Sequence, residues 1–313
     1  MNALLFPGQG SQIVGMGSEF YDKFKLVKNI FKEADERLNF NLSKIILEGP
    51  ADKLKLTANT QPAILTVSFS IFKVIKEEFN FNLSSFEFFA GHSLGEYSAL
   101  VSSDSLSFSD AVYLLHERGK AMQEAVPVGE GSMAAIFGLK IEELKTLLIE
   151  QKSGVCEIAN DNADGQIIIS GEKKSVDNFL QLLKEKKIKS IPLNVSAPFH
   201  CSLMKPAAKI MEEKIKNTSF NNSKFKIINN VTANEETDAL TFKKLLVDQI
   251  YSSVKWRETL IYMSKKGIKN FIEIGPGKVL SGMVKRTIKD ENLNCFSINS
   301  IADIKNLNDK FKK

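Results

Sequence analysis

The stretch AGHSLGEYSA (residues 90–99) decides how this chain is read. Gly91-His92-Ser93-Leu94-Gly95 fits G-x-S-x-G, the sharp turn that lifts a serine hydroxyl above the carboxyl edge of a sheet. So short a glycine pattern carries weight only between a strand and a helix. Both flanks are present: FEFFA (86–90) reads as a buried strand, and GEYSALVSS (95–103) opens a helix. Upstream, NALLF (2–6) reads as another buried strand, ended by Pro7 and Gly8. Helical segments at 18–37, 42–48 and 60–79 separate the two strands. The pattern predicts an α/β fold with a parallel sheet core.

From about 131 to 194 the order changes. SMAAIFGL (132–139) is a strand and KIEELKTLLIEQ (140–151) a helix. VCEIAN (155–160) and QIIISG (166–171) are strands divided by the turn-rich DNADG (161–165). KKSVDNFLQLLKEK (173–186) is a helix and KSIPLN (189–194) a strand. That is β-α-β-β-α-β, the ferredoxin-like arrangement. It predicts an inserted subdomain at 129–195, with the larger domain split into 1–128 and 196–313. Alternation then resumes: helix 203–217, strand 225–230, helices 241–250 and 254–266, strand 270–274, helix 278–289, strand 295–298. The lysine-rich tail DIKNLNDKFKK (303–313) reads as a solvated helix or a frayed end.

Bulk properties narrow the function. The 313 residues carry a net charge of +5, but only Arg37, Arg118, Arg257 and Arg286 are arginines. Lysine-borne charge without a nucleic-acid motif argues against a nucleic-acid partner. Cys156, Cys201 and Cys295 are odd in number and lack metal-ligand spacing, so neither a disulfide framework nor a zinc site is expected. Reduced thiols, no signal-like N-terminus and no long apolar run predict a cytoplasmic protein outside the membrane.

A serine hydroxyl needs a base within hydrogen-bond reach. Three histidines are available: His92, His116 and His200. His92 adjoins Ser93, and neighbouring side chains diverge at a sharp turn. His116 lies in the helical pattern SDAVYLLHERGKAMQEAV (109–126), away from its apolar face and on an exposed side. Elimination leaves His200, in the irregular VSAPFHCS (195–202). No acidic residue stands out as a third triad member. In the same helix, Arg118 falls near the centre of the apolar stripe. A buried guanidinium needs an anionic partner, either an internal Asp or Glu or a substrate carboxylate. FPGQGSQ (6–12) leaves the first strand at the edge where Ser93 emerges, so its amides and that of Leu94 are candidate oxyanion donors.

Seven motifs occur in the order and spacing of one family: FPGQGSQ, TQPAIL (60–65), GHSLGEYSAL (91–100), RGKAMQEAVP (118–127), APFH (197–200), MKPA (204–207) and EIGPGKVL (273–280). From about residue 3 to 290 the chain resembles the bacterial malonyl-CoA:acyl carrier protein transacylases. The resemblance implies an α/β-hydrolase-like large domain with a ferredoxin-like insert. It implies Ser93 as the acylated nucleophile, His200 as general base then acid, and Arg118 as the malonyl carboxylate site. The Gln9 and Leu94 amides would form the oxyanion hole, and the Gln249 carbonyl would orient His200. Asn160 would line the cleft, and Phe199 would narrow it against an α-methyl group. Malonyl-CoA and acyl carrier protein are the implied partners, with no metal or redox cofactor and a monomeric enzyme. A chain without fused synthase domains favours fatty acid over polyketide synthesis. The competing reading is a serine hydrolase or thioesterase acting on acyl-CoA through the same turn.

Overall fold

The computed structural model describes residues 1–151 and 154–311. Its strands, in chain order, are β1 (Asn2–Phe6), β2 (Phe86–Gly91), β3 (Gly131–Phe137), β4 (Cys156–Ala163), β5 (Gln166–Glu172), β6 (Ser190–Pro192), β7 (Lys226–Ile228), β8 (Glu235–Glu236), β9 (Asn270–Ile274) and β10 (Asn294–Ile298). One sheet has the order β10-β9-β1-β2-β7-β8 and is parallel except for the two-residue edge strand β8. A second, antiparallel sheet has the order β4-β5-β3-β6.

The apolar stretches Ala3–Phe6 of β1 and Phe88–Ala90 of β2 follow from burial on both faces. Leu4, Phe6 and Phe89 face one core, with residues of the helices Lys25–Leu38, Thr57–Glu77 and Phe108–Glu124. Ala3, Leu5, Phe88 and Ala90 face another, with Trp256, Leu260 and Val284. The pairing of β1 with β2 ends at Phe6 opposite Gly91, so both following turns leave from one edge. The chain runs from β1 toward β2 on one side and from β9 toward β10 on the other. Loops diverge there, and a crevice opens at such a switch point.

The small sheet covers one face with the helices Ile141–Glu150 and Lys173–Glu185, around Ala134, Ile136, Ile169, Phe179 and Leu183. Met133, Ala135 and Ile168, on its opposite face, join the main core. β4 is longer than the sequence suggested and takes in most of DNADG, leaving only Asp164 and Gly165 as the turn. Its pairing with β5 is irregular at Ile158/Asn160 and Asp161/Ala163. Its far end is tied to the large sheet's side of the molecule: Val254 N donates to Ala159 O and Asp161 N to Val254 O. Arg257 Nε also reaches the Asp161 carboxylate at 2.9 Å.

Two expectations need correction. The helix expected over 18–37 breaks at the extended Phe24 into Ser18–Lys23 and Lys25–Leu38. The tail is not simply solvated: Ile301–Phe311 is a helix, and Ile301, Ile304 and Leu307 are buried in the main core. An i, i+3, i+6 apolar edge was hidden among its lysines. Residues 312 and 313 lie outside the described residues. Among the described residues, no helix is long and apolar enough to cross a membrane.

Candidate active site

The turn after β2 holds Ser93 at φ 54°, in the left-handed region where side chains other than glycine are uncommon. Its flanking glycines are required by space. A Cβ on Gly91 would stand 1.8 Å from Gly95 O, and one on Gly95 would stand 2.3 Å from Phe6 O. Asn230, just past β7, braces the turn: its Oδ1 accepts from Ser93 N at 2.7 Å and its Nδ2 donates to Gly91 O at 2.8 Å.

His200 reaches the same point from the loop after the small sheet, itself at φ 57°. Its Nε2 lies 2.8 Å from Ser93 Oγ, and its Nδ1 lies 2.9 Å from the carbonyl oxygen of Gln249. A carbonyl can only accept, so Nδ1 carries the proton and the bare Nε2 faces the hydroxyl. Burial, then the nearby Arg118 charge, lowers the His200 pKa to about 3. The imidazole is therefore neutral at pH 7 and able to take a proton. The orienting group is a main-chain carbonyl, which explains why no acidic partner was apparent in the sequence.

The other histidines make different bonds, although His92 lines the same cavity. His92 Nε2 is 2.8 Å from Asn162 Oδ1, and its ring lies edge-on to Trp256. His116 is half-buried rather than exposed: its Nδ1 meets Ala58 O at 2.9 Å and its ring packs near Phe40. The helical period alone did not register the neighbouring helix and Phe40.

Arg118 is 1% exposed. Its Nη1 donates to Gln61 Oε1 at 2.7 Å, and its Nη2 to Gln249 Oε1 at 2.9 Å and to Ser93 Oγ at 3.3 Å. Of the two partners open from sequence, no directly paired internal acid is found: among the described residues Arg118 forms no ion pair and its hydrogen bonds go to neutral oxygens, while the Glu96 carboxyl acts on it only at longer range. Burial holds its pKa below the usual arginine value, but a guanidinium remains charged at neutral pH. A buried cation bonded only to neutral groups, beside a nucleophile-like hydroxyl, suits an anionic ligand group.

These groups open onto a cleft of about 400 Å³ between the two sheets. Gln9, Ser93, Arg118, Asn160, Phe199 and His200 all line it. Among the described residues, neither the Gln9 nor the Leu94 amide has a protein acceptor. Irregular pairing in β4 accompanies the inward placement of Asn160 and Asn162, as bulges commonly do beside sites. No group of three or more His, Cys, Asp or Glu side chains is gathered as a metal site among the described residues.

Sequence reading missed Gln61, Asn230, Glu96 and the Gln249 side chain. Glu96 Oε2 accepts from Gln249 Nε2 at 2.7 Å and from Asn230 N at 3.0 Å. Burial raises its pKa to about 7. A signal for Glu96 was available, since a carboxylate in the otherwise weakly polar GEYSALVS needs a partner. Asn230 gave none, because its role depends on a sheet neighbour far away in sequence.

Comparison with known proteins extends this geometry. A model of the acyl transferase domain family matches residues 3–311. A malonyl CoA-acyl carrier protein transacylase of Bacillus subtilis is 47% identical over 287 residues, covering 91% of this chain and 89% of that protein. One from Haemophilus influenzae is 42% identical over 302 residues, covering 96% of each. The crystal structure of an acyl-carrier-protein-S-malonyltransferase from Bartonella henselae matches with a TM-score of 0.95 at 41% identity, over 100% of this chain and 99% of its own. A malonyl-transacylase in complex with its type II PKS acyl-carrier protein matches with a TM-score of 0.94 at 37% identity, over 99% of both chains.

Proposed function

The chain belongs to the acyl transferase domain family, and on that premise we propose that it moves a malonyl group from malonyl-CoA to the pantetheine thiol of acyl carrier protein, through a malonyl ester of Ser93. The observation that carries this reading is Arg118: a buried cation with only neutral partners, 3.3 Å from Ser93 Oγ. An acyl group bearing a distal carboxylate satisfies it, and a simple acyl group does not.

Ser93 Oγ attacks the thioester carbonyl carbon as its proton passes to His200 Nε2. The resulting oxyanion is held by the amides of Gln9 and Leu94. Collapse expels CoA, whose sulfur takes the proton back from His200. The carrier thiol then gives its proton to His200 and attacks the ester carbonyl. Ser93 Oγ leaves and recovers its hydrogen. Arg118 holds the carboxylate through both halves, and Asn160 and Phe199 shape the cleft, the phenyl ring crowding an α-methyl substituent. No metal or redox group is required by these steps. The apolar side chains of Met122, Met133, Ile168 and Phe199 around the cleft favour exclusion of water, and so favour transfer over hydrolysis.

The fold is read in the same terms. The large parallel sheet with the serine turn at its carboxyl edge is α/β-hydrolase-like, over 1–128 and 196–313. The elements of 129–195 form a ferredoxin-like insert, supported by the spatial order β6-β3-β5-β4. The enzyme is read as a cytoplasmic monomer serving fatty acid synthesis. The test is timed release of CoA from malonyl-CoA with and without carrier protein. A single stoichiometric burst without carrier, and turnover with it, is expected. Sustained carrier-independent release would overturn the reading in favour of a thioesterase.

A further inference from the structure

Arg118 poses a problem of placement. A buried guanidinium with a direct carboxylate partner would be occupied, whereas one with loose neutral partners would not hold its fork toward the substrate. We propose that Glu96 is a positioning residue that solves this through the side chain of Gln249, fixing that amide so that its oxygen faces Arg118. This rests on the reading that Arg118 binds the malonyl carboxylate.

The geometry runs through one amide group. Gln249 Oε1 accepts from Arg118 Nη2 at 2.9 Å. Gln249 Nε2 donates to Glu96 Oε2 at 2.7 Å and to Ser93 O at 3.1 Å. Turned round, the amide would set N–H against N–H at Arg118 and oxygen against oxygen at Glu96. Both Glu96 and Gln249 are 1% exposed, so water cannot relieve such a clash. Glu96 lies in the first turn of the helix Gly95–Ser102, every residue of which is buried. A carboxylate there serves no packing purpose, and among the described residues its Oε1 has no hydrogen-bond partner while Oε2 accepts from both Asn230 N and Gln249 Nε2. Interposing Gln249 leaves Arg118 oriented without capping it by an acid. The acceptor role needs an oxygen at that position, not a charge, so it persists whether or not the carboxyl is protonated.

The second Glu96 bond, from Asn230 N, braces the serine turn and affects all acyl groups alike. The ratio of kcat/KM for malonyl-CoA to that for acetyl-CoA isolates the Gln249 branch. Glu96→Leu is expected to lower that ratio by about tenfold or more, while Glu96→Gln, which keeps an oxygen where Oε2 stands, stays within about threefold of the parent. Retention of the ratio in Glu96→Leu, or its equal loss in Glu96→Gln, would overturn the proposal. Should Glu96→Leu fail to fold, Glu96→Met removes the acceptor oxygen while keeping an unbranched chain of similar length in its place. Loss of the ratio in that variant supports the proposal, and retention overturns it. Arg118→Ala run alongside separates the two levels. If its ratio is unchanged, the carboxylate reading itself fails. If its ratio collapses while that of Glu96→Leu does not, only the role of Glu96 fails.

Discussion

Arg118 and His200 converge on one hydroxyl: Nη2 of the arginine lies 3.3 Å, and Nε2 of the histidine 2.8 Å, from Ser93 Oγ. Burial, and after it the Arg118 charge, lowers the histidine pKa. In the proposed reaction, substrate choice and proton transfer would meet at that single oxygen.

Removing the cation should therefore change what is transferred. Arg118→Ala is expected to lower kcat/KM for malonyl-CoA on the order of 100-fold, the loss typical of a buried charged hydrogen-bonding partner. Acetyl-CoA, which has no carboxylate to lose, should be affected far less. Steady-state kinetics with both thioesters checks this. Equal losses for the two would assign Arg118 a structural role instead.

The histidine should stay neutral well into acid. Its folded pKa of about 3 lies below the ordinary value of 6.5. In the unfolded chain the ring takes up a proton as pH falls through 6.5, whereas in the folded chain it does not. Stability is thus full above about pH 6.5 and declines between there and pH 3, by about 2 kcal/mol at pH 5 from this group. Denaturant unfolding of the parent and of His200→Gln should differ by a gap that changes by this amount between pH 7 and 5. Imidazole NMR should show no titration of His200 near 6.5, and Arg118→Ala should move its titration upward.

The turn should tolerate no methyl group at Gly91. A Cβ there meets main-chain atoms of Gly95 at under 2 Å, which cannot rotate away as a side chain could. Gly91→Ala is expected to cost about 4 kcal/mol or more, by thermal or denaturant unfolding. A near-neutral result would mean that the strand-to-helix junction is looser than described.

Much of this was legible in the sequence for definite physical reasons. β1 and β2 announced themselves because strands buried on both faces are mostly apolar, as Ala3–Phe6 and Phe88–Ala90 are. Arg118 did so because 3.6-residue periodicity put a charge on a buried stripe. His200 emerged by elimination, which works only because histidines are scarce here. What stayed hidden depends on distant neighbours. Asn230 is polar at a strand end like many loop residues, and only the pairing of β7 with β2 brings it to Ser93. The extension of β4 to Ala163 follows from its attachment at Val254 and Arg257, about 95 residues downstream. The burial of the tail helix reflects packing of three apolar residues that composition averaged away.

Intact-mass spectrometry after mixing the protein with malonyl-CoA, followed by peptide mapping, tests the central claim most directly. The account predicts a gain of one malonyl group, located on the peptide carrying Ser93 and absent from Ser93→Ala. A Ser93→Ala protein that still acquires the adduct, or a parent protein that acquires none, would contradict it.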